Sequence, residues 1–112
     1  MCVLSTDPIS GADENIGWLA VNVSCNDVAA NGAEPIGLLV TLLLPPATEN
    51  ERIGALMREL HEAAAALDVE LLGGHTELVE GLSRPLICTT AVGRAKRDRY
   101  VTSAGARPGD DV

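Results

Sequence analysis

Residues 16–35, IGWLAVNVSCNDVAANGAEP, decide how the rest of the chain can fold. Apolar and small side chains recur in this stretch at helical spacing, in two stripes, which predicts a helix that must be covered on more than one side. Asp27 falls within one stripe, four residues after Val23 and three before Ala30. A carboxylate on a buried or cleft-lining face needs a partner, because an unpaired charge there is costly. The partner is a cation, a metal ion or a set of hydrogen-bond donors.

Composition restricts the class of protein. The chain has 112 residues, enough for one domain with one core. Of these residues 46% are hydrophobic, yet the chain holds no Phe, one Trp and one Tyr, so we expect an aliphatic core. The formal net charge of −8 argues against a nucleic-acid partner, because a phosphate backbone attracts a basic surface.

Cysteine usage and apolar runs bear on the location of the protein. Cys2, Cys25 and Cys88 are far apart and form no CxxC pair, which argues against a disulfide framework or a structural zinc site. The longest apolar run, residues 36–44, is shorter than the roughly 20 residues that span a bilayer. The N-terminus also lacks the basic region of a signal peptide. We therefore expect a cytoplasmic protein with reduced thiols and no membrane partner.

Proline, glycine and capping patterns predict the order strand, helix, strand, helix, strand, strand. The second helix is expected to begin at a Thr-x-x-Glu capping box, Thr48 to Glu51. The predicted helices are the central one, which stops at Asn31-Gly32, and the one that runs from the capping box to Leu67. The predicted strands are residues 2–6 (ending at Asp7-Pro8), 36–44, 69–72 (ending at a Gly73-Gly74 turn) and 86–92.

This order predicts an α/β or α+β domain in which the helices cover one face of a small sheet. Too little chain remains to cover the other face. Because the central strand, residues 36–44, is apolar nearly throughout, we expect a second copy of the chain to cover that face. A homodimer is the economical solution.

Residues capable of binding chemistry occur in three groups, each at a strand end or on the central helix. Carboxylates and hydroxyls on separate elements suit a hard cation such as Mg²⁺, and Mg²⁺ suggests a ligand that carries phosphate. The chain has no GxxxxGK[ST] loop, so a nucleotide would not be held in the P-loop manner. The three groups are Ser5-Thr6-Asp7, Asn26-Asp27 and Gly73-Gly74-His75-Thr76-Glu77.

Each group also has a purely structural interpretation. Asp7, which precedes a proline, could belong to an Asx turn. Asp27 could bond backbone groups or neighbouring Asn side chains, and the glycine pair at 73–74 could be only a tight turn. A lone His75 is more often a surface residue than a ligand.

Taken in order, these stretches resemble the N-terminal domain of the aminoimidazole-ribonucleotide (AIR) synthetase superfamily. That superfamily includes the hydrogenase-maturation carbamoyl dehydratase (HypE), thiamine-monophosphate kinase, selenide water dikinase and formylglycinamidine synthetase. The resemblance rests on STD at 5–7 (Thr-Thr-Asp in the family), IGWLAVN at 16–22, NDVAANGAEP at 26–35, GGHT at 73–76 (Gly-Gly-Asp-Thr in the family) and GARPGD at 105–110.

The resemblance implies an α+β domain with a small mixed sheet, completed into a barrel by dimerisation. It implies ATP and Mg²⁺ in a cleft near the dimer interface, and phosphoryl transfer from ATP to an amide-type oxygen. Residues 1–96 would be the ATP-binding and dimerisation domain, without its first segment. Residues 97–112 would lead towards a C-terminal domain that these 112 residues do not contain.

The resemblance also implies roles for individual residues but assigns no catalytic one. His75 stands where the family has aspartate, so one metal carboxylate is missing, and Glu77 is a candidate to replace it. The implied metal ligands are Asp7 and Asp27 with Ser5 beside them, and the implied ATP-binding residues are Thr6, Asn26, Gly73, Gly74, His75 and Thr76.

Among family members, the Gly-Gly-His-Thr-Glu stretch and Glu34-Pro35 are most similar to carbamoyl dehydratase-like proteins. The alternatives are a thiamine-monophosphate kinase-like or selenide water dikinase-like domain, or a non-catalytic dimerisation module. The substrate, a small molecule or a protein C-terminus, would be bound mainly by the second domain, so we do not expect these residues alone to be active.

Overall fold

The longest apolar run of the chain forms a central strand of a four-stranded sheet. The computed structural model describes residues 1–12 and 14–111. The elements in chain order are β1 (Cys2–Ser10), α1 (Ile16–Ala30), β2 (Glu34–Leu44), α2 (Asn50–Ala66), β3 (Glu70–Leu78), β4 (Leu86–Arg94) and a short 3-10 helix (Ser103–Gly105).

The sheet is mixed, with the strand order β1-β4-β2-β3. The strand β2 pairs in parallel with β3 and antiparallel with β4, and β4 also pairs antiparallel with β1. The helices pack against each other and against one face of this sheet. The predicted order of elements, the mixed α+β sheet and the helices on one face are therefore confirmed.

The helix α1 is covered on two sides, by the sheet and by α2, as its two apolar stripes predict. Gly32 follows its end with φ 73°, the left-handed conformation expected of a helix-stop glycine. Of the two settings expected for Asp27, a buried or a cleft-lining face, the buried one is wrong. Asp27 is exposed, and so is Trp18 at 53%, because the buried stripe of the helix lies one position away. That stripe consists of Ile16, Gly17, Ala20, Val21, Ser24, Cys25 and Val28.

The helix α2 does not begin with the predicted capping box. Its N-cap residue is Glu49, which makes no side-chain capping bond. The hydroxyl and the backbone N–H of Thr48 both donate to the carbonyl of Pro45, at 2.7 Å and 3.0 Å. Because the turn after β2 uses these donors, Thr48 is not free to cap the helix.

All four strands are longer than predicted, and β1 and β3 differ most from the prediction. β1 continues through Asp7 and Pro8 to Ser10, since a proline is tolerated on an edge strand, where its missing N–H costs no ladder bond. β3 does not end at a Gly73-Gly74 turn but runs through both glycines to Leu78. Parallel pairing with β2 holds this stretch extended.

A bulge in β3 precedes the two glycines. Leu71 pairs with Leu38, and the next pair is Gly73 with Leu39, so Leu72 is the extra residue. Leu72 lies over Gly37, where an added Cβ would come within 2.4 Å of a Leu72 methyl carbon. The bulge sets the register of the whole Gly-Gly-His-Thr segment against β2.

The core between sheet and helices is aliphatic, as composition predicts. Its large, fully buried hydrophobic side chains are Ile16, Val21, Val28, Leu38, Leu42, Leu44, Leu56, Leu60 and Ile87. The opposite face of the sheet, here called the open sheet face, carries exposed apolar side chains. They are Leu4, Ile36, Leu39 and Leu72, with exposed fractions of 64%, 42%, 45% and 55%.

After β4 the chain returns to the end of α1. The N–H of Val101 donates to the carbonyl of Asn31 at 2.9 Å, and the Arg99 carbonyl oxygen lies 2.7 Å from the position that a Cβ on Gly32 would take. The linker role of residues 97–112 stays a prediction. Within the described residues, none of the helices has the length and apolar character needed to cross a membrane.

Candidate functional site

Two carboxylates and a hydroxyl meet where α1 packs against β1. Alternation along β1 turns Ser5 and Asp7 towards the helix, and Asp27 lies in the last turn of α1. The Ser5 hydroxyl is 3.0 Å from Asp27 Oδ2 and 3.4 Å from Asp7 Oδ2, so it can donate to either carboxylate. The structure thus brings together the three residues that the sequence analysis assigned to a metal.

The electrostatic surroundings of these carboxylates are unfavourable to negative charge. Burial raises the pKa of Asp7, the Asp27 carboxylate raises it further, and only the Ser5 hydroxyl opposes this shift. Asp27 lies at the negative end of the α1 dipole, and no basic residue occupies the last turn of that helix. None of the ion pairs formed within residues 1–12 and 14–111 involves Asp7 or Asp27. Neither carboxylate is therefore paired with a basic side chain of the described residues.

The donor set fits Mg²⁺. Carboxylate and hydroxyl oxygens are the hard ligands this ion prefers, and Mg²⁺ usually takes only one or two carboxylates and leaves the remaining positions to water and phosphate. Across the described part of the chain there is no group of three or more His, Cys, Asp or Glu side chains able to hold a metal. The cluster accordingly offers two carboxylates and one hydroxyl, fewer ligands than an all-protein cage needs.

Of two residues assigned to the nucleotide, Thr6 lies apart from this cluster and Asn26 lies next to Asp27 in α1. Thr6 lies on the open sheet face, where its hydroxyl is 2.9 Å from that of Thr90 on β4. The sheet therefore separates Thr6 from Asp7. Asn26 precedes Asp27 and is exposed on the surface of α1.

Asn31 is a residue that the sequence analysis used only as a helix stop. Its side-chain amide donates to the backbone carbonyl of Asp27 at 2.7 Å. This bond satisfies one of the free carbonyls at the end of α1 and fixes the backbone that carries the Asp27 carboxylate. The helix-terminal Asn-Gly pair was the available signal for this role.

The Gly-Gly-His-Thr segment lies at the opposite edge of the sheet from Asp7. It belongs to β3, and the strands β4 and β2 separate it from β1. Three strand spacings amount to about 14 Å. The structure therefore does not unite residues 73–76 with the carboxylate cluster within one chain.

A groove between α2 and β3 contains this segment. Its volume is about 330 Å³, and its walls include Leu42, Met57 and Leu60 together with residues 73–76. His75 Nε2 lies 3.6 Å from Glu77 Oε2, and both side chains are well exposed. Glu77 thus stands next to His75 and as far from Asp7 as the rest of β3 does.

Gly74 has a structural requirement of its own. Its φ is +153°, and an added Cβ would lie 1.7 Å from the carbonyl oxygen of Val40 on β2. Gly73 has a similar φ of +154°, but a Cβ there would meet only Leu39 Cδ2, at 3.8 Å. Only glycine at position 74 allows the two strands to approach this closely.

Comparison with known proteins identifies the family. Residues 1–95 match the model of the AIR synthase related protein, N-terminal domain. The thiamine-monophosphate kinase of Halobacterium salinarum is 34% identical over 96% of this chain and 36% of that protein. The carbamoyl dehydratase HypE of Cupriavidus necator is 31% identical over 98% of this chain and 33% of its own length. The crystal structure of the hydrogenase maturation protein HypE in complex with ATP superposes with a TM-score of 0.88 at 27% identity, over 97% of this chain and 35% of that one.

The chain spans about a third of the length of these relatives. The family match covers nearly all of the chain, and the related solved structure has the same fold over the same range. The chain belongs to the AIR synthase-related family and corresponds to its N-terminal domain.

Proposed function

We propose that this chain is the ATP- and Mg²⁺-binding domain of a phosphoryl-transfer enzyme that activates an amide-type oxygen, as a HypE-like dehydratase or a synthetase. The observation that carries the proposal is the cluster of Ser5, Asp7 and Asp27. Two carboxylates lie together at the negative end of a helix, with no basic side chain paired to them in the described residues. The ATP bound to the related HypE structure supports the choice of nucleotide.

Each residue of the cluster has a definite task in this proposal. Asp7 and Asp27 hold the cation, and Ser5 orients their oxygens through its hydroxyl. Asn26, which is exposed beside Asp27, would contact the nucleotide. When bound, Mg²⁺ would neutralise the charge on the transferred phosphoryl group and position it.

We infer that a second copy of the chain completes the site. Gly73, Gly74, His75 and Thr76 lie on β3, whereas the carboxylates lie at the β1 edge. In this dimer the open sheet faces of two copies would pack against each other, and the two-fold axis would lie between the sheets, parallel to the strands. Such an axis would place β1 of one copy beside β3 of the other. The same arrangement would bury Leu4, Leu39 and Leu72 of the open sheet face, completing the barrel.

In that dimer Gly74 and Thr76, which pair with the buried Val40 and Leu42, would lie on the same side of the sheet as the carboxylates of the other copy, whereas His75 and Glu77 alternate onto the open sheet face. Thr6, on the open sheet face, would then lie at the interface and not on the metal side.

A second candidate is a thiamine-monophosphate kinase-like function, favoured by the 34% identity to the enzyme of Halobacterium salinarum. Both functions use MgATP, so the cluster is common to them. The substrate would be a small molecule or a protein C-terminus. It would be bound mainly by a domain that corresponds to the two thirds of the relatives that this chain does not cover. For either function we place the protein in the cytoplasm. If the chain were instead a non-catalytic dimerisation module, its stability would not respond to nucleotide.

Titration of the purified chain with Mg²⁺ alone and with MgATP, followed by calorimetry and thermal melting, tests the proposal. We expect both ligands to raise Tm above its value in EDTA. For Asp27→Asn we expect a higher Tm in EDTA, because a charge is removed from the negative end of α1, an effect of about 0.3–1 kcal/mol. We expect this variant to show no Mg²⁺-dependent rise.

Asp68→Asn is the matched control. Asp68 is an exposed carboxylate directly after the C-cap residue of α2, and is thus also at the negative end of a helix. We expect it to raise Tm in EDTA and to keep the full response to Mg²⁺. A wild-type chain that shows neither heat of binding nor a Tm shift with millimolar MgATP would refute the proposed function.

A further inference from the structure

Thr89 carries a buried hydroxyl without a hydrogen-bond partner. The residue lies in β4 and is 0% exposed. Within the described residues, its Oγ1 is the buried side-chain polar atom for which no donor or acceptor is in reach. Burial of an unsatisfied hydroxyl is unfavourable, and valine would fill the same space without that cost.

The buried face of β4 is otherwise apolar around this position. Alternation along the strand turns Ile87, Thr89 and Ala91 towards the helices, and all three are fully buried. The hydroxyl at the middle position therefore has no polar neighbour along β4 on this face. It needs an explanation from its neighbours.

Thr89 is the cross-strand neighbour of Asp7. The two residues are paired in the β1–β4 ladder, and paired residues of antiparallel strands have Cβ atoms about 4.5–5.5 Å apart on the same face. The helix side of this position is held by Ser24, whose hydroxyl donates to the Thr89 carbonyl at 3.3 Å. Ser24 lies one turn before Asp27 in α1. Thr89 is thus enclosed between the two elements that carry the carboxylates.

We propose that Thr89 is a positioning residue of the cation site, and that its hydroxyl donates a hydrogen bond to the Asp7 carboxylate once that carboxylate binds the cation. The inference rests on the function proposed above. Without a cation, the Ser5 hydroxyl is the donor that Asp7 shares with Asp27. If the oxygens of Asp7 turned towards a bound cation, the Thr89 hydroxyl would provide a second donor to that carboxylate from the neighbouring strand.

The test compares two variants that separate hydroxyl from shape. Thr89→Val keeps the shape and removes the hydroxyl, whereas Thr89→Ser keeps the hydroxyl and removes a methyl group. Binding of Mg²⁺ alone is measured by calorimetry and binding of Mn²⁺ by electron paramagnetic resonance, with thermal melts in EDTA for each protein.

For Thr89→Val we expect a Tm in EDTA equal to or above that of the wild type, and a Kd for Mg²⁺ raised about tenfold, the usual loss for a hydrogen bond to a charged group. For Thr89→Ser we expect a lower Tm but a Kd within twofold of the wild type. A packing role alone would weaken binding in the serine variant and spare it in the valine variant.

The outcomes distinguish this inference from the proposed function. If the wild type binds Mg²⁺ and Thr89→Val binds it equally well, the positioning role is refuted while the cation site stands. If Thr89→Ser binds as weakly as Thr89→Val, packing and not the hydroxyl is responsible, and the inference is again refuted. A wild type that does not bind Mg²⁺ refutes both.

Discussion

Replacing Gly74 by alanine should detach β3 from β2. The added Cβ would lie 1.7 Å from the Val40 carbonyl oxygen, 2.6 Å from its carbonyl carbon and 2.9 Å from its nitrogen. All three are backbone atoms of the neighbouring strand, so no side-chain rotation can relieve the contact. The two strands must separate by more than an ångström, which breaks the hydrogen bonds on either side of Gly74.

Gly73 provides the control that isolates this contact. Its φ of +154° matches the +153° of Gly74, so alanine at either position carries similar backbone strain, about 1–3 kcal/mol. At Gly73 the new Cβ makes an ordinary contact of 3.8 Å with Leu39. The variants therefore differ mainly by the strand hydrogen bonds lost at Gly74.

The difference between the two variants can be estimated. Loss of two strand hydrogen bonds, at about 0.5–1.5 kcal/mol each, makes Gly74→Ala about 1–3 kcal/mol less stable than Gly73→Ala. An unfolding entropy of about 2.1 cal/mol/K per residue converts 1 kcal/mol into about 4 °C for a chain of this length. We expect Gly74→Ala to melt about 4–13 °C below Gly73→Ala.

Circular dichroism melts and native-state hydrogen exchange of the β3 amides provide the assay. Exchange also detects a detachment confined to β3, which would expose amides in Glu70–Leu78 before the rest of the sheet opens. Equal melting temperatures together with equal protection of β3 in the two variants would show that the approach of Gly74 to β2 is not as close as described.

Two further predictions concern the cation and the dimer. Burial and the nearby Asp27 raise the pKa of Asp7 above its ordinary 3.8, so the folded chain holds a proton there more tightly than the unfolded chain does. In the absence of metal, the contribution of Asp7 to the free energy of unfolding should therefore fall as pH rises from 3.8 through the raised pKa. The affinity for Mg²⁺, measured by calorimetry, should weaken as pH is lowered through the same range. Asp7→Asn should remove both dependences, and a pH-independent Mg²⁺ affinity in the wild type would contradict the shift. In sedimentation, Leu39→Asp on the open sheet face should yield monomers, whereas Leu67→Asp, at a similarly exposed side chain, should leave a dimer; a monomeric wild type would contradict the proposed interface.

Much of the fold was predictable because its signals are local. The apolar run at 36–44 and the helical spacing after Ile16 reflect burial, which a single stretch of sequence records. The extension of β3 was not predictable in this way, since Gly73-Gly74 indicates a break when considered alone. Only pairing with β2, about 30 residues away in the sequence, keeps these glycines in a strand.

The site was predictable in its residue types more than in its geometry. Asp7 and Asp27 lie on separate elements, and their proximity depends on how α1 packs on β1. Thr6 illustrates this, because the period of two in a strand already places its side chain on the face of the sheet opposite to Ser5 and Asp7. Thr89 could not have been singled out, since one hydroxyl in an apolar strand signals nothing until its lack of a partner is known.

The strand order β1-β4-β2-β3 places the two halves of the candidate site at the two outer edges of the sheet. In the dimer proposed above, each site would draw its carboxylates from one copy and its glycine strand from the other. Nucleotide affinity would then depend on protein concentration, and ligand binding and dimerisation would strengthen each other by the same factor. A heterodimer of one chain altered at Asp27 and one altered on β3 would combine both defects in one site and leave the other site intact.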